Sequence, residues 1–180
     1  MNNANKSVCA AIAIALSVSI AWSAAAHTRS STATSANAGT LQDPDIHTIK
    51  DAGLQFELPK GWKAETEANG QIFVSFEDGA ASVTFVVEDK YEEAVTGMKS
   101  GLKEQLTEFK SDGEPKTDTH HGLTHISESG SGLLKGAKVT WSINVLKATK
   151  NVTILTFGID TILEAHAAEY AKFVNSIQKI

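Results

Sequence analysis

The chain has 180 residues, of which 42% are hydrophobic and 21% charged, an ordinary globular composition. Lys6 and Arg29 are the only charged residues before residue 41, so residues 41–180 carry 14 lysines, no arginine and 21 acidic residues, a net charge of −7. Nucleic-acid binding depends on a basic surface and phosphate recognition favours the arginine fork, so this balance argues against a nucleic-acid partner.

Residues 1–26 have the pattern of a secretory signal peptide. Lys6 precedes an apolar stretch, Val8–Trp22, and Ala24–Ala26 supply the small residues that favour cleavage before His27. The stretch is shorter than the roughly 20 apolar residues that span a bilayer. We therefore expect an exported protein, periplasmic or secreted, without a transmembrane span after cleavage; retention of the segment as an anchor is the alternative.

The single cysteine, Cys9, stands at the beginning of the apolar stretch. A lipid-modified cysteine would follow the stretch, so lipid anchoring is not expected. Cleavage leaves a cysteine-free chain, which excludes disulfides and thiolate zinc sites. Residues 27–40 are rich in Ser, Thr and Ala without apolar periodicity, which predicts a disordered tether before a single domain, residues 41–180.

The domain opens with short strands. Leu54–Leu58 alternates apolar and polar residues, as in a half-buried strand. Pro59-Lys60-Gly61 ends it, and Trp62 is expected to begin the next strand. Residues 71–76 and 81–88 are two further strands, joined by a hairpin turn at Asp78-Gly79.

A change of period predicts a helix from Tyr91 to Phe109. Its apolar stripe is formed by Tyr91, Val95, Met98, Leu102, Leu106 and Phe109. Residues 110–121 are polar and predict a connection. A meander follows, with strands Leu123–Glu128 and Lys135–Leu146 joined by a turn at Gly130–Gly132.

Two strands and a final helix complete the pattern. In the second meander strand Ala137, Val139, Trp141, Ile143 and Val145 share one face. Val152–Ile159 is apolar on both faces, as in a covered central strand. A capping box at Thr161 and Glu164 begins a closing helix, with a stripe formed by Leu163, Ala167, Tyr170, Val174 and Ile177. The predicted class is α+β, a mainly antiparallel sheet with helices on its faces.

Three histidines, His120, His121 and His125, are the candidate metal ligands because imidazole favours zinc. A single strand would separate His121 from His125 by about 13 Å, too far to share one ion. It would also direct His120 and His121 to opposite faces unless the turn bends them. The alternative is a polar turn entering a strand, with His125 packed or hydrogen-bonded.

No catalytic set is legible, and we expect no cofactor. Gly130-Ser131-Gly132 lacks both the phosphate-loop spacing and a following helix. An enzyme would have to use His125 or His166 near a carboxylate, which is the least favoured reading. Trp62 is a candidate ligand-stacking residue, whereas Trp141 is expected in the core because of its place in the alternation.

The segment Phe56-Glu57-Leu58-Pro59-Lys60-Gly61-Trp62 forms an F-x-x-P-x-G-W start. With the central helix, the strand beginning at Gly122, the meander and the closing helix, it resembles the fold shared by the PsbP extrinsic proteins of photosystem II, the DcrB-like bacterial envelope proteins and a Ran-binding nuclear transport factor. The resemblance covers about residues 52–180. It implies an α/β/α sandwich with a non-enzymatic, protein-associating role, and it transfers no site residue.

The expected function is therefore that of an exported, non-enzymatic binding or accessory module of the bacterial cell envelope, acting through a protein partner. DcrB-like proteins are typically lipid-anchored, and this chain lacks the cysteine for that attachment. A small-ligand or metal carrier, using the sheet face or the three histidines, is the alternative function.

Overall fold

The computed structural model describes residues 44–76 and 79–180. The predicted signal peptide, the predicted tether and Asp78 of the predicted hairpin turn lie outside the described residues. No helix in these two ranges is long and apolar enough to cross a membrane.

Eleven strands and three α-helices are formed within the described residues. The strands are β1 (Asp45–Ile49), β2 (Leu54–Leu58), β3 (Lys63–Thr66), β4 (Ile72–Ser75), β5 (Ala81–Glu88), β6 (Thr107–Ser111), β7 (Lys116–His120), β8 (Leu123–Leu134), β9 (Ala137–Lys147), β10 (Asn151–Ile159) and β11 (Gln178–Lys179). The helices are α1 (Tyr91–Gln105), α2 (Asp160–Ala165) and α3 (Ala167–Ser176).

The strands form one large and one small sheet. The large sheet has the order β3-β4-β5-β10-β9-β8-β6, with β7 also pairing with β8. The small sheet has the order β1-β2-β11. Each recorded pairing is antiparallel. The predicted α+β class with a mainly antiparallel sheet is confirmed.

The large sheet separates two apolar cores, because its central strands are apolar on both faces. On one face, Met98 and Leu102 of α1 pack with Trp141 of β9 and Phe157 of β10. On the other, Phe173 of α3 packs with residues of the small sheet and of β5. Helix and small sheet therefore cover opposite faces, as in a layered sandwich.

The burial of side chains on β9 and β10 agrees with this layered arrangement. Val139, Trp141, Ile143 and Val145 are at most 2% exposed, as the sequence predicts for one face of β9. Strand β10 lies between β5 and β9 with both faces covered, which confirms its central position. The polar face of β9, which includes Ser142 and Asn144, is half-buried on the side of α3.

The helix α1 is shorter than its apolar stripe predicts. It ends at Gln105, and Leu106 and Phe109 lie in extended backbone and in β6 respectively. Strand β6 shifts register against β8 between Thr107 and Lys110, with Glu108 at φ 53°. This bulge lets Phe109 stack on Trp141, with ring centroids 5.1 Å apart. Pairing with the edge of β8 thus replaces the predicted last helical turn.

Two loop predictions are also wrong. Residues 110–121 are mostly strand, in β6 and β7, and β8 runs without a break through Gly130–Gly132. A Cβ on Gly130 would lie 2.3 Å from Cζ2 of Trp141, so glycine is needed there for packing and not for a turn. The actual turn is Lys135-Gly136, with φ of 51° and 85°.

The closing helix is divided. α2 begins at Asp160 after Ile159, without a side-chain cap, so the predicted capping box at Thr161 is wrong. The helix is interrupted at His166, and α3 begins after it. α3 buries Phe173, a residue that the predicted stripe does not include. The break rotates α3, so that Phe173 enters the core and Ala167 of the predicted stripe is exposed.

Candidate functional site

The histidine cluster is built on the two-residue turn between β7 and β8. His120 pairs with Leu123, which leaves His121 and Gly122 as the turn, with φ of 45° and 75°. Both residues are left-handed, as a type I′ hairpin requires. The turn, rather than one continuous strand, therefore brings the histidines together.

Two imidazoles of this turn bind the carboxyl end of α3. Nε2 of His121 lies 2.8 Å from the carbonyl oxygen of Asn175, and Nε2 of His120 lies 3.1 Å from that of Ile177. Carbonyls accept, so both rings donate N–H. The last carbonyls of a helix receive no hydrogen bond from N–H groups of the same helix, and these histidines supply the missing donors.

His125 joins a polar chain on the sheet face beneath α3. Its Nδ1 is 2.6 Å from Oδ1 of Asp118, and its Nε2 is 2.9 Å from Oδ1 of Asn144. Nδ2 of Asn144 donates to Oγ of Ser142 at 3.2 Å. Both ring nitrogens of His125 are thus occupied, which fits the hydrogen-bonded alternative of the sequence analysis.

A second pair of polar side chains, Tyr170 and Thr156, ends this row of hydrogen-bonded groups beneath α3. The hydroxyls of Tyr170 and Thr156 are 2.8 Å apart. Burial raises the pKa of Tyr170, with hydrogen bonds from Thr156 and Ser142 acting in the opposite direction. A row of hydrogen-bonded polar side chains therefore crosses from β8 to β10 under α3.

A cavity of about 40 Å³ lies between α3 and this polar line. It is lined by His120, His125, Asn144, Leu146, Ile154, Tyr170, Phe173, Val174 and Ile177. One water needs roughly 10–15 Å³ of such volume, so the cavity has room for about three waters. Sites for metabolites are commonly about 300 Å³ or larger, so this cavity is too small to accommodate one.

The charged form of His120 is disfavoured in this setting. The pKa of His120 is below its ordinary value of 6.5, first because of burial and next because of the nearby His121. His125 acts in the same direction, while the backbone hydrogen bonds to Ile177 and Val174 oppose it. His120 is therefore held mainly as a neutral donor.

The three predicted metal ligands are adjacent, but their nitrogens do not converge. Ring centroids of His120 and His121 are 4.5 Å apart, and those of His120 and His125 are 6.2 Å apart. Across residues 44–76 and 79–180, no group of three His, Cys, Asp or Glu side chains is arranged to hold a metal ion. Metal binding by His120, His121 and His125 stays a prediction that requires the rings to leave their present partners.

Trp62 is a core residue and not an exposed stacking surface. It is 5% exposed, its ring centroid lies 3.8 Å from that of Phe76, and it also contacts Phe173. The candidate role for Trp62 as a ligand-stacking residue is corrected accordingly. Trp141 is fully buried, as predicted from the alternation of β9.

Two histidines have the carboxylate partners that an enzyme would need, and at His125 the group on the other side of the ring is not a nucleophile. Nδ1 of His125 contacts Asp118, and Nδ1 of His166 lies 2.6 Å from Oε2 of Glu169. On the far side of His125 stands an amide, Asn144, instead of a hydroxyl or thiol. A nucleophile–base–carboxylate relay is therefore interrupted at Asn144.

Sequence reasoning missed the partners of these histidines. Asn144 and Ser142 alternate with the buried residues of β9, but the sequence does not indicate that their face is covered. The alternation of these two residues with buried ones, together with a predicted helix that could cover their face, is the pattern that could have indicated it. The carbonyls of Asn175 and Ile177 carry no sequence signal, because any residue presents a carbonyl.

Comparison with known proteins identifies the fold. No protein-family model and no curated protein sequence matches the chain. The chain is similar to the solution structure of cyanobacterial PsbP (CyanoP) from Synechocystis, with a TM-score of 0.57 and 10% identity, covering 80% of this chain and 98% of that chain. At this identity the likeness shows the fold alone, and the predicted PsbP-like fold is confirmed.

Two further structures are similar. A crystal structure from Bacteroides thetaiotaomicron has a TM-score of 0.52 and 10% identity, covering 77% of this chain and 49% of that chain. LpqN, involved in cell envelope biogenesis of Mycobacterium tuberculosis, has a TM-score of 0.49 and 12% identity, covering 76% of this chain and 85% of that chain. This last similarity is too low to carry an argument.

Proposed function

We propose that this protein is an exported, non-enzymatic accessory module of the bacterial cell envelope that acts by associating with a protein partner. The observation that carries the proposal is how the histidine cluster is used. His120 and His121 donate to main-chain carbonyls at and just beyond the carboxyl end of α3, and both nitrogens of His125 are occupied. The chemistry-bearing side chains of this site therefore stabilise the fold, and none is positioned to attack a substrate.

The fold and the size of the cavity support the same proposal. The PsbP-like fold covers nearly the whole CyanoP chain, which supports an accessory role by analogy of fold. The cavity beneath α3 has room for about three waters, which argues against carriage of a metabolite at this site.

We assign the outer face of the small sheet as the contact surface. Ile46, at 54%, and Ile180, at 71%, are the large hydrophobic residues exposed within the described ranges, and both belong to this part of the fold. Ile46 lies on β1, the edge strand of the small sheet, opposite Glu57 of β2. An edge strand has unpaired backbone groups to which an extended segment of a partner can add.

Export and association are tested in the native cells. Mass spectrometry of the purified protein is expected to give the mass of residues 27–180, recovered from the envelope fraction. A photo-cross-linking residue at Ile46 is expected to give one defined protein adduct. The same residue at the exposed Glu104 of α1 is the matched control and is expected to give none.

The two parts fail separately. An uncleaved chain in the cytosol would contradict export. Equal adducts from positions 46 and 104, or adducts from neither, would contradict association through the small sheet while leaving export intact.

A further inference from the structure

The strand β1 has an open edge on the side away from β2. Among the described residues, β1 pairs with β2 and with no other strand. Opposite residues of antiparallel strands alternate between pairs that exchange two backbone hydrogen bonds and pairs that exchange none. The backbone groups of β1 that face the open edge can therefore be identified from the hydrogen-bonding direction of each residue in β2.

Hydrogen bonds on the other side of β2 fix this direction. The N–H of Ile180 donates to the carbonyl oxygen of Gly53 at 3.1 Å, and the N–H of Glu57 donates to Oγ of Ser176 at 2.9 Å. Odd-numbered residues of β2 therefore turn their backbone groups toward β11, and even-numbered residues turn theirs toward β1. The partners of the even-numbered residues in β1 are Asp45, His47 and Ile49.

Ile46 and Thr48 consequently direct their backbone N–H and C=O groups to the open edge. Both side chains are exposed, on the outer face of the small sheet. The usable edge is limited to these two residues. Pro44 precedes it and has no N–H, and after it the chain enters a short 3-10 helix, Lys50–Ala52. The edge thus presents a short, fixed order of donors and acceptors.

This order is complementary to itself. When two copies of β1 lie antiparallel about a two-fold axis at His47, Ile46 of each copy stands opposite Thr48 of the other. Both of these pairs exchange two N–H···O bonds, so every free donor and acceptor of the two edges is used. An axis at Ile46 would place the carbonyl of Thr48 against Pro44, which has no donor. An axis at Thr48 would place Ile46 against the 3-10 helix at Lys50.

Charges at the two ends of β1 favour the same arrangement. The side chain of Asp45 is 68% exposed at the beginning of the strand, and the exposed Lys50 follows its end. In the antiparallel pair, Asp45 of each copy stands opposite Ile49 and next to Lys50 of the other copy, so opposite charges meet on both sides of the axis. The net charge of −7 on each domain opposes association, but salt screens this repulsion beyond about 8 Å.

We propose that the segment that adds to β1 is β1 of a second copy of this chain, which makes the protein a two-fold symmetric dimer. The inference rests on the proposed function, because it names the partner of the surface assigned there. The two small sheets join into one sheet in the order β11-β2-β1-β1-β2-β11, and each Ile46 packs against Thr48 of the other copy. A two-fold contact is closed, so association stops at the dimer. Two short strands bury little surface, so the dimer dissociates on dilution.

Cysteine cross-linking tests the register. The two His47 residues would face each other as a pair without mutual hydrogen bonds, in which the Cβ atoms are about 4.5–5.5 Å apart, close to disulfide spacing. The full-length chain is expressed in the native cells with Cys9→Ala, so that an introduced cysteine is its only thiol. After purification and mild oxidation, His47→Cys is expected to give a disulfide-linked dimer.

Thr48→Cys is the matched control. Its two copies would stand two residues out of register, so their Cα atoms would be more than about 7 Å apart, beyond the reach of a disulfide. Thr48 is also more exposed than His47, so random collisions would favour the control. We expect Thr48→Cys to remain mainly monomeric under reducing-agent-free denaturing electrophoresis.

Sedimentation of the protein without added cysteines measures the association itself. We expect the dimer fraction to rise with protein concentration. Ile46→Pro removes the outward N–H of Ile46 without touching the pairing with β2, and the dimer loses two hydrogen bonds, so we expect association at least about tenfold weaker. Ile46→Val keeps every backbone group and should change association less than about threefold. If circular dichroism shows that Ile46→Pro does not fold, the cysteine pair decides the question.

The outcomes separate this inference from the proposed function. A monomer at every concentration overturns self-pairing, and so does a His47→Cys chain that forms no more disulfide dimer than Thr48→Cys. If the photo-cross-linker at position 46 then captures a different protein, the assigned surface stands and only its occupant is wrong. If it captures nothing, both the dimer and the assigned surface are wrong.

Discussion

Two turn residues hold a bulky side chain in left-handed backbone. His121 and Lys135 have φ of 45° and 51°, and each is followed by glycine. This conformation costs an L-residue about 1–2 kcal/mol, and asparagine tolerates it best among non-glycine residues. His121 offsets the cost by capping the carbonyl of Asn175. No comparable contact of the Lys135 side chain is present in the described part of the chain.

Replacing Lys135 by asparagine is therefore expected to stabilise the protein. We expect Lys135→Asn to raise the free energy of unfolding by about 0.5–1 kcal/mol, because asparagine fits the type I′ turn. Urea unfolding monitored by circular dichroism measures it. His121→Asn is the matched comparison, since it gains the same backbone relief but loses the cap. Equal midpoints for the two variants would contradict the capping role of His121.

Among the elements, the edge strand β6 depends on an aromatic pair. Phe109 and Trp141 stack with an interplanar angle of 5°, on the face of the sheet that carries α1. Gly130 of β8 lies beneath this pair and beside β6, where an added Cβ would be 2.0 Å from the carbonyl oxygen of Lys110. The missing side chain at Gly130 is what lets β6 and Trp141 approach β8 together.

Substitution of Gly130 by alanine is expected to disrupt this packing. The added Cβ would meet backbone atoms and a fully buried indole, neither of which can move without a loss of packing. We therefore expect the free energy of unfolding to fall by at least about 2 kcal/mol. Trp141 fluorescence should shift toward the solvent-exposed value. Ser131→Ala, the next position along β8, is the control and should change stability by less than about 0.5 kcal/mol. A neutral Gly130→Ala would refute the packing role.

Periodicity predicts elements whose two faces differ, such as β9 and most of α1, whereas the central strand β10 is predicted by a run that is apolar on both faces. Periodicity does not predict where an element ends when the next apolar residues fit both a continued helix and a new strand. Phe109 continues the helical stripe of α1, yet it also fits β6, and pairing with β8 decides the outcome. Gly130–Gly132 reads as a turn in sequence because the indole of Trp141, which lies against Gly130, is 11 residues further along the chain than Gly130.

At the scale of the molecule, the three histidines can be recognised as a group from the sequence, but the groups that they contact cannot. Adjacency of His120 and His121 is local, whereas their acceptors lie 57 and 54 residues further along the chain. Such contacts depend on how α3 packs between the sheets, which the position of Phe173 determines. A cluster that suggests metal ligation in sequence therefore acts as a clamp in the fold.

The clamp makes the last four residues important for stability. Removing Ile177–Ile180 deletes a buried side chain, the β11 pairing and the acceptor of His120, with an expected cost of about 3 kcal/mol. Removing Ile180 alone deletes a residue that is 71% exposed, so its cost should stay below about 1 kcal/mol. Thermal unfolding of the two truncations measures the difference, and equal losses would contradict the role assigned to Ile177.

The pairing of β11 with β2 joins the end of the chain to the first sheet, since Glu57 and Ser176 are 119 residues apart. Phe173, which fills the space between Phe56 and Phe85, lies 173 − 56 = 117 residues beyond Phe56. Contacts of this sequence separation form slowly, because a long loop must close before they stabilise the fold. A polypeptide synthesised only as far as α2 therefore lacks the aromatic side chain that closes this core.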